Sequence, residues 1–194
     1  KQYEYYREEQ LSFDDDEVEW KTLGEIGELV RGTSITKKQV VQGHIPVVAG
    51  GREPAYYHNQ ANREGETISV AGSGAYAGHL TYWNEPIFIS DGFSIKTDPQ
   101  IALMKYVFYF LSSNQSKIYD MKRGGGVPHV YVKNLAPFRI PIPPLEKQKE
   151  IVTTLDQFDA LVNDLSIGIP AEINARRLQL EYYQNKLLTF KEKP

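Results

Sequence analysis

Four histidines, His44, His58, His79 and His129, stand too far apart for an HxxxH or HExxH pair, the spacing that sets two imidazoles on one helical face. The chain has no cysteine, so disulfides and thiolate metal sites are ruled out. A reducing, cytoplasmic setting fits that composition. A serine nucleophile would need a GxSxG elbow, and none occurs. Methyl transfer to adenine would call for Asp, Asn or Ser before a double proline and an aromatic after it. The one double proline, in IPIPPLE, has neither. The glycine-rich stretches AGSGAYAG (71–78) and RGGGVPHVY (123–131) lack a Gly-Lys-Ser/Thr and a strand–GxGxxG–helix setting. They read as tight turns, or as places where a large ligand approaches the backbone. No catalytic centre and no bound cofactor is expected.

What remains is a set of basic, aromatic and amide side chains within loops. The segment 50–63 carries Arg52, Tyr56, Tyr57, His58, Asn59, Gln60 and Asn62, and 73–84 carries Ser73, Tyr76, His79 and Tyr82. Lys122 and Arg123 precede three glycines, and 31–39 holds Arg31, Thr33, Ser34, Lys37 and Lys38. Such types suit a DNA groove. Arg and Lys meet phosphates or guanine, Asn and Gln meet adenine, and Tyr and Ser touch the sugar–phosphate backbone. The competing explanation is buried tyrosines beneath a solvated charged surface. A shared DNA face requires Arg52, Tyr57, Tyr76, His79, Lys122 and Arg123 to lie together.

Charge is distributed in keeping with this. The net charge of the 194 residues is -3, but 1–20 sum to -6, 21–145 to +4 and 146–194 to -1. A mildly basic middle between acidic flanks fits a polyanionic ligand. No apolar run reaches the roughly 20 residues of a spanning helix, and no membrane partner is expected.

The elements that must hold these residues follow from periodicity. Residues 1–13 read as the end of a helix, and 13–20 as an acidic linker. Short β-rich runs at 45–48, 67–71, 87–90, 93–96 and 138–142 are punctuated by Gly, Pro and Asn, with one helix over 104–120. After IPIPP, whose prolines stop a strand and start a helix, Ile151, Leu155, Phe158, Val162 and Leu165 step by four and three like a coiled-coil seam. The steps resume through Leu180, Tyr183 and Leu187. Consecutive four-residue steps around Gly168 and Pro170 predict a kinked helix, with a helical hairpin as the alternative. The fold class is therefore mixed α/β (α+β): 1–20 a helix end and linker, 21–144 a globular domain, 145–194 a coiled-coil helix.

The two ends repeat one another. EYYREEQLSF (4–13) and EYYQNKLLTF (181–190) share five of ten residues. The unit of a globular block plus a helix thus reads as recurring in a longer parent chain. Tyr3, Tyr6 and Phe13 are expected to pair with the start of the last helix.

Four stretches together resemble the specificity subunits of type I restriction–modification systems: WKTLGEIGELVRGTSITKKQ, GHIPVVAGGREPAYYHN, GGGVPHVYVKNLAPFRIPIPPLEKQKEIV and IPAEINARRLQLEYYQNKLLTF. The resemblance covers the whole chain and is most specific at the third stretch. It implies a non-catalytic target recognition domain that reads one half of a bipartite double-stranded DNA sequence. The helices would set the spacing between halves and dock modification subunits. Those subunits would carry S-adenosylmethionine, and a restriction or translocase subunit using ATP would join them. The chain matches a half subunit, so self-dimerisation through the helices is a further expectation. Two readings from other classes are a nucleotide-binding enzyme built on AGSGAYAG and a coiled-coil scaffold.

Overall fold

The computed structural model describes residues 2–14, 18–163 and 169–188. Contacts divide the chain into two units, 1–152 and 153–194. The first opens with helix α1 (Gln2–Gln10) and strand β1 (Glu19–Thr22), followed by a one-turn helix α2 (Leu23–Ile26) and β2 (Gly27–Arg31). Glu25 caps the start of α2: the Thr22 amide and hydroxyl both donate to its carboxylate at 2.7 Å. These hydrogen bonds, the backbone one foremost, hold the Glu25 carboxyl below its ordinary range. Leu23 and Ile26 point inward and are buried.

The centre is a four-stranded antiparallel sheet. Its order is β2, β8 (Gly92–Thr97), β5 (Thr67–Ala71), β6 (Leu80–Trp83). β5 is buried at every residue, its alternating polar positions Thr67 and Ser69 as well as Ile68, Val70 and Ala71. Helix α3 (Met104–Ser113) packs on β6 and β5 and buries Met104, Tyr106, Val107, Tyr109, Phe110 and Leu111. Tyr106 donates its hydroxyl to the Pro141 carbonyl at 2.8 Å. Burial pushes that phenol well above its usual range. A short helix α4 (Gln115–Tyr119) follows, so the helix expected over 104–120 is broken at Asn114. Its side chain donates to the Phe110 carbonyl at 2.9 Å.

A second sheet holds β4 (Tyr56–His58), β3 (Gln42–Val48) and β7 (Phe88–Ile89), the last pair parallel. Asn62 ties β7 down. Its amide nitrogen donates to the Ile89 carbonyl at 3.0 Å, and its oxygen accepts the Ile89 N–H at 2.8 Å. Arg63 ties β2. Its guanidinium donates to the carbonyls of Val30 (3.0 Å), Arg31 (2.9 Å) and Asn62 (2.6 Å) and to the Ser94 hydroxyl (2.7 Å). Desolvation lowers the Arg63 pKa.

β1 pairs antiparallel with β9 (Arg139–Ile142), with Glu19 opposite Ile142. The preceding helix α5 (Val132–Leu135) buries Leu135. β9 leads through Pro143 and Pro144 into α6 (Leu145–Asn163). Gln148, 0% exposed, locks that junction. Its oxygen accepts the Leu103 N–H at 2.9 Å, and its amide donates to the carbonyls of Ile101 (3.0 Å) and Pro143 (2.9 Å). The compact unit thus includes the first turns of α6 as well as α1, wider than the 21–144 expected.

Ile151 and Leu155 are buried and Phe158 is half-buried. A second long helix, α7, spans Ile169–Leu188 and exposes Ile173, Leu180 and Tyr183. The expected kink or hairpin and Leu165 lie outside the described residues. For Tyr3, Tyr6, Val162 and Leu187 the description stops at the helical backbone. The packing seen for α1 is on α3, and Phe13 shares a cavity wall with Trp20 and Phe110.

Candidate nucleic-acid interface

Between β5 and β6 the chain makes the turn 72–79. Gly78 donates to the Ala71 carbonyl at 2.8 Å and His79 to the Tyr76 carbonyl at 2.8 Å. AGSGAYAG therefore joins two antiparallel strands, with no helix start aimed at a phosphate. This removes the geometry on which a nucleotide-binding reading depends. At Gly78, φ is 84°, and a Cβ would lie 3.2 Å from methyl groups of Ile118 and Val130. Glycine is demanded there by the fold.

Two segments converge on this turn, one carrying Arg52 and one carrying Tyr119 and Lys122. The Arg52 guanidinium lies over the Tyr76 ring, 4.8 Å from its centre. The Lys122 ammonium sits 4.3 Å over the Tyr119 ring and donates to the Ala75 carbonyl at 3.1 Å. The Tyr119 hydroxyl is 3.4 Å from His79 Nδ1. Burial first, and the charge of Arg52 second, lower the His79 pKa, so its imidazole is neutral at neutral pH. Arg52, Tyr76, His79, Tyr119 and Lys122 thus form one group of paired cations and rings.

The loop after it extends the group. Arg123 and His129 exchange backbone hydrogen bonds (2.9 and 2.8 Å), and Ser73 bridges to His129. Arg123 is exposed. His129 Nδ1 donates to the Val127 carbonyl at 2.8 Å. The His129 ring stacks on Tyr131, 5.7 Å between centres and 5° between planes. The Lys133 ammonium is 5.7 Å from the Tyr131 ring centre. His129, Tyr131 and Lys133 line a cavity of about 200 Å³ whose other walls include Arg31 and Asp91. Ser73 donates its hydroxyl to the Asp91 carboxylate.

Other residues named from the sequence stand apart from this group. Tyr56 and Tyr57, on the edge strand β4, line an open depression with His44 of β3. Lys37 and Lys38 are exposed on a turn. Tyr82 donates to Glu66 and packs on Phe108, partners that give it a structural setting. Asn62 spends both ends of its amide on Ile89, so it has no free edge for adenine. His58 is buried, with Nδ1 accepting the Val41 N–H at 3.0 Å and its ring edge-on to Phe88. Tyr119, Tyr131 and Lys133 were missed by the residue-type reading. Tyr131 only precedes α5 and Lys133 lies on it, so no strand alternation marks them in the sequence.

Residues 15–175 match the family model described as "Type I restriction modification DNA specificity domain". The chain belongs to that family. This specificity domain is 32% identical to the type I restriction enzyme EcoR124I/EcoR124II specificity subunit of Escherichia coli, over 98% of the chain and 53% of the relative. It is 29% identical to the MpnII specificity subunit of Mycoplasma pneumoniae, over 98% and 61%. The chain spans about half the length of the first curated relatives it matches. Its fold resembles the crystal structure of a type I restriction–modification S subunit from M. genitalium, with a TM-score of 0.69 at 22% identity, over 94% of the chain and 49% of the other. A structure describing complex assembly in a type I system gives 0.67 at 19%, over 96% and 48%. Among the described residues of the specificity domain, no helix is long and apolar enough to cross a membrane.

Proposed function

We propose that this chain is the DNA-reading part of a type I restriction–modification system and reads one half of a two-part duplex target without catalysing a reaction. The observation that carries it is the convergence of Arg52, Tyr76, His79, Tyr119 and Lys122 with the 123–133 segment. It gives four cations, Arg52, Lys122, Arg123 and Lys133, a run of aromatic faces and a neutral imidazole. Cations held over rings are oriented toward phosphates at little entropic cost. Neutral His79 can accept or donate at a base edge. Gly125 and Gly126 have nothing within 4 Å of a built Cβ. The fold does not require glycine there, which fits close approach of a nucleic-acid backbone.

The helices support a second part of the reading. α7 carries Ile173, Leu180 and Tyr183 with their side chains exposed in a single chain. We assign this face to pairing, either with another helix of a longer subunit or with a second copy. The pair would space two recognition domains and dock modification subunits, with S-adenosylmethionine and ATP used on the partners.

Fluorescence anisotropy on duplex DNA across a salt series tests the proposal. The wild-type chain should bind with an affinity that falls steeply with salt. Arg52→Ala, Lys122→Ala and Arg123→Ala should each weaken binding, and loss of a phosphate contact should reduce the salt slope by about one. Salt-independent binding, or variants identical to wild type, would refute it.

A further inference from the structure

The cavity beside β8 holds a carboxylate that phosphate binding does not explain. Asp91 lines it with Arg31, His129, Tyr131 and Lys133. Among the described residues no Lys or Arg forms an ion pair with Asp91. Among the described residues its one hydrogen-bond donor on a side chain is the Ser73 hydroxyl. An ionised carboxylate has about four acceptor positions, so most of its capacity is open. Holding Ser73 needs no charge, because an Asn oxygen would accept the same hydroxyl. The backbone makes room for the group: a Cβ at Gly72 would come within 3.0 Å of Asp91 Oδ1, and one at Gly50 within 3.4 Å of Oδ2. A negative group facing a phosphate polyanion is repelled. It is favoured there only if something on the duplex donates to it. In the major groove the donors are the exocyclic amino groups, cytosine N4 and adenine N6.

Resting on the DNA-reading function above, we propose that this cavity is a base-reading subsite in which Asp91 accepts a hydrogen bond from an exocyclic amino group, cytosine N4 or adenine N6. Arg31 and Lys133 hold the flanking phosphates. The stacked His129–Tyr131 pair forms an apolar wall, with Tyr131 42% exposed. The carboxylate also rejects bases that present only acceptors at that place. Guanine O6 and thymine O4 would set two acceptors against each other.

The test is selection from a pool of duplexes with a randomised core, using the purified chain and its Asp91→Asn and Asp91→Ala variants. The expected result is one motif position held as C or A in the wild type. In Asp91→Asn a preference for C falls by at least about fivefold, the lower end of a base-pair mismatch; a preference for A falls by as much in Asp91→Ala, because an Asn amide pairs with adenine N6 and N7 itself. The other positions stay unchanged, and affinity for random duplex rises. An unchanged preference at every position overturns the subsite and leaves DNA reading intact; salt-sensitive binding that enriches no position overturns the subsite and sequence reading together and leaves DNA binding alone. Binding to no duplex at all overturns both. A second arm leaves the protein untouched, in case the variant does not fold. The preferred cytosine is replaced by pyrimidin-2-one, or the preferred adenine by purine, each lacking the amino group. A loss of about fivefold or more with one of them names the base; no loss with either refutes the assignment.

Discussion

His79 sits where the fold has made a histidine unlike a free one. Its pKa lies below the ordinary 6.5 because burial and the neighbouring Arg52 both penalise the imidazolium. Between that lowered value and 6.5 the unfolded chain binds more protons than the folded one. Stability therefore falls as pH drops below 6.5, and is unaffected by this group above it. Thermal melts from pH 7.5 to 5 should show the fall, and His79→Asn should flatten it. Gln148 gives a prediction of another kind. Gln148→Leu keeps the volume but strips partners from the Leu103 amide and from the Ile101 and Pro143 carbonyls. Urea unfolding should show a loss of about 1–3 kcal/mol. Both residues were visible in the sequence, but only as types. Arg52, Tyr76, His79 and Lys122 could be picked because cations, rings and imidazoles serve DNA wherever they converge. Asn62 and Tyr82 were picked by the same logic and are occupied by Ile89 and Glu66, partners that no local pattern reveals.

At the scale of elements, legibility followed periodicity. β5 lies where its β-rich run indicated, and the run expected at 93–96 is β8 with one more residue at each end. β1, β2, β4 and β6 have no matching run in the sequence, and β1 begins inside the expected linker 13–20: they are half-exposed, and their partners β9, β8, β3 and β5 lie far along the chain or across a loop. The glycines of the 123–131 loop divide in a way the sequence could not show. Gly124 has φ 110°, and a Cβ would lie 2.7 Å from the Val127 carbonyl oxygen, so Gly124→Ala should destabilise the loop by roughly 1–3 kcal/mol. Gly125→Val should leave the melting temperature in place. If DNA approaches the loop closely, duplex affinity should drop about tenfold, equivalent to ~1.4 kcal/mol for a displaced backbone contact. Paired melts and anisotropy titrations separate the two roles. An affinity unchanged in Gly125→Val would place the DNA elsewhere.

Over the whole molecule, the chain divides into two units of different character. The first is a packed α/β body, and the second a helical segment with apolar side chains facing solvent. If that face pairs, the full chain should have the mass of a dimer in light scattering at micromolar concentration. Leu180→Glu with Tyr183→Glu should return it to a monomer without changing its melting profile. A wild-type chain that stays monomeric would favour a pairing helix supplied by a longer subunit. The helical seam was readable because its period is local; which surface meets it depends on geometry that one chain does not contain.

Glu19 and Ile142 face each other across the β1–β9 ladder, so the chain enters and leaves the recognition body at nearly one point. Whatever lies between them is a loop, however large, hung from a closed clasp. A different body of different length could occupy the same clasp if it returned a backbone N–H and a carbonyl to Gln148, as Leu103 and Ile101 do here. Recombination at the two short strands would then exchange a whole reading head at once, and a lineage could acquire a new DNA word without rebuilding the machinery that acts on it.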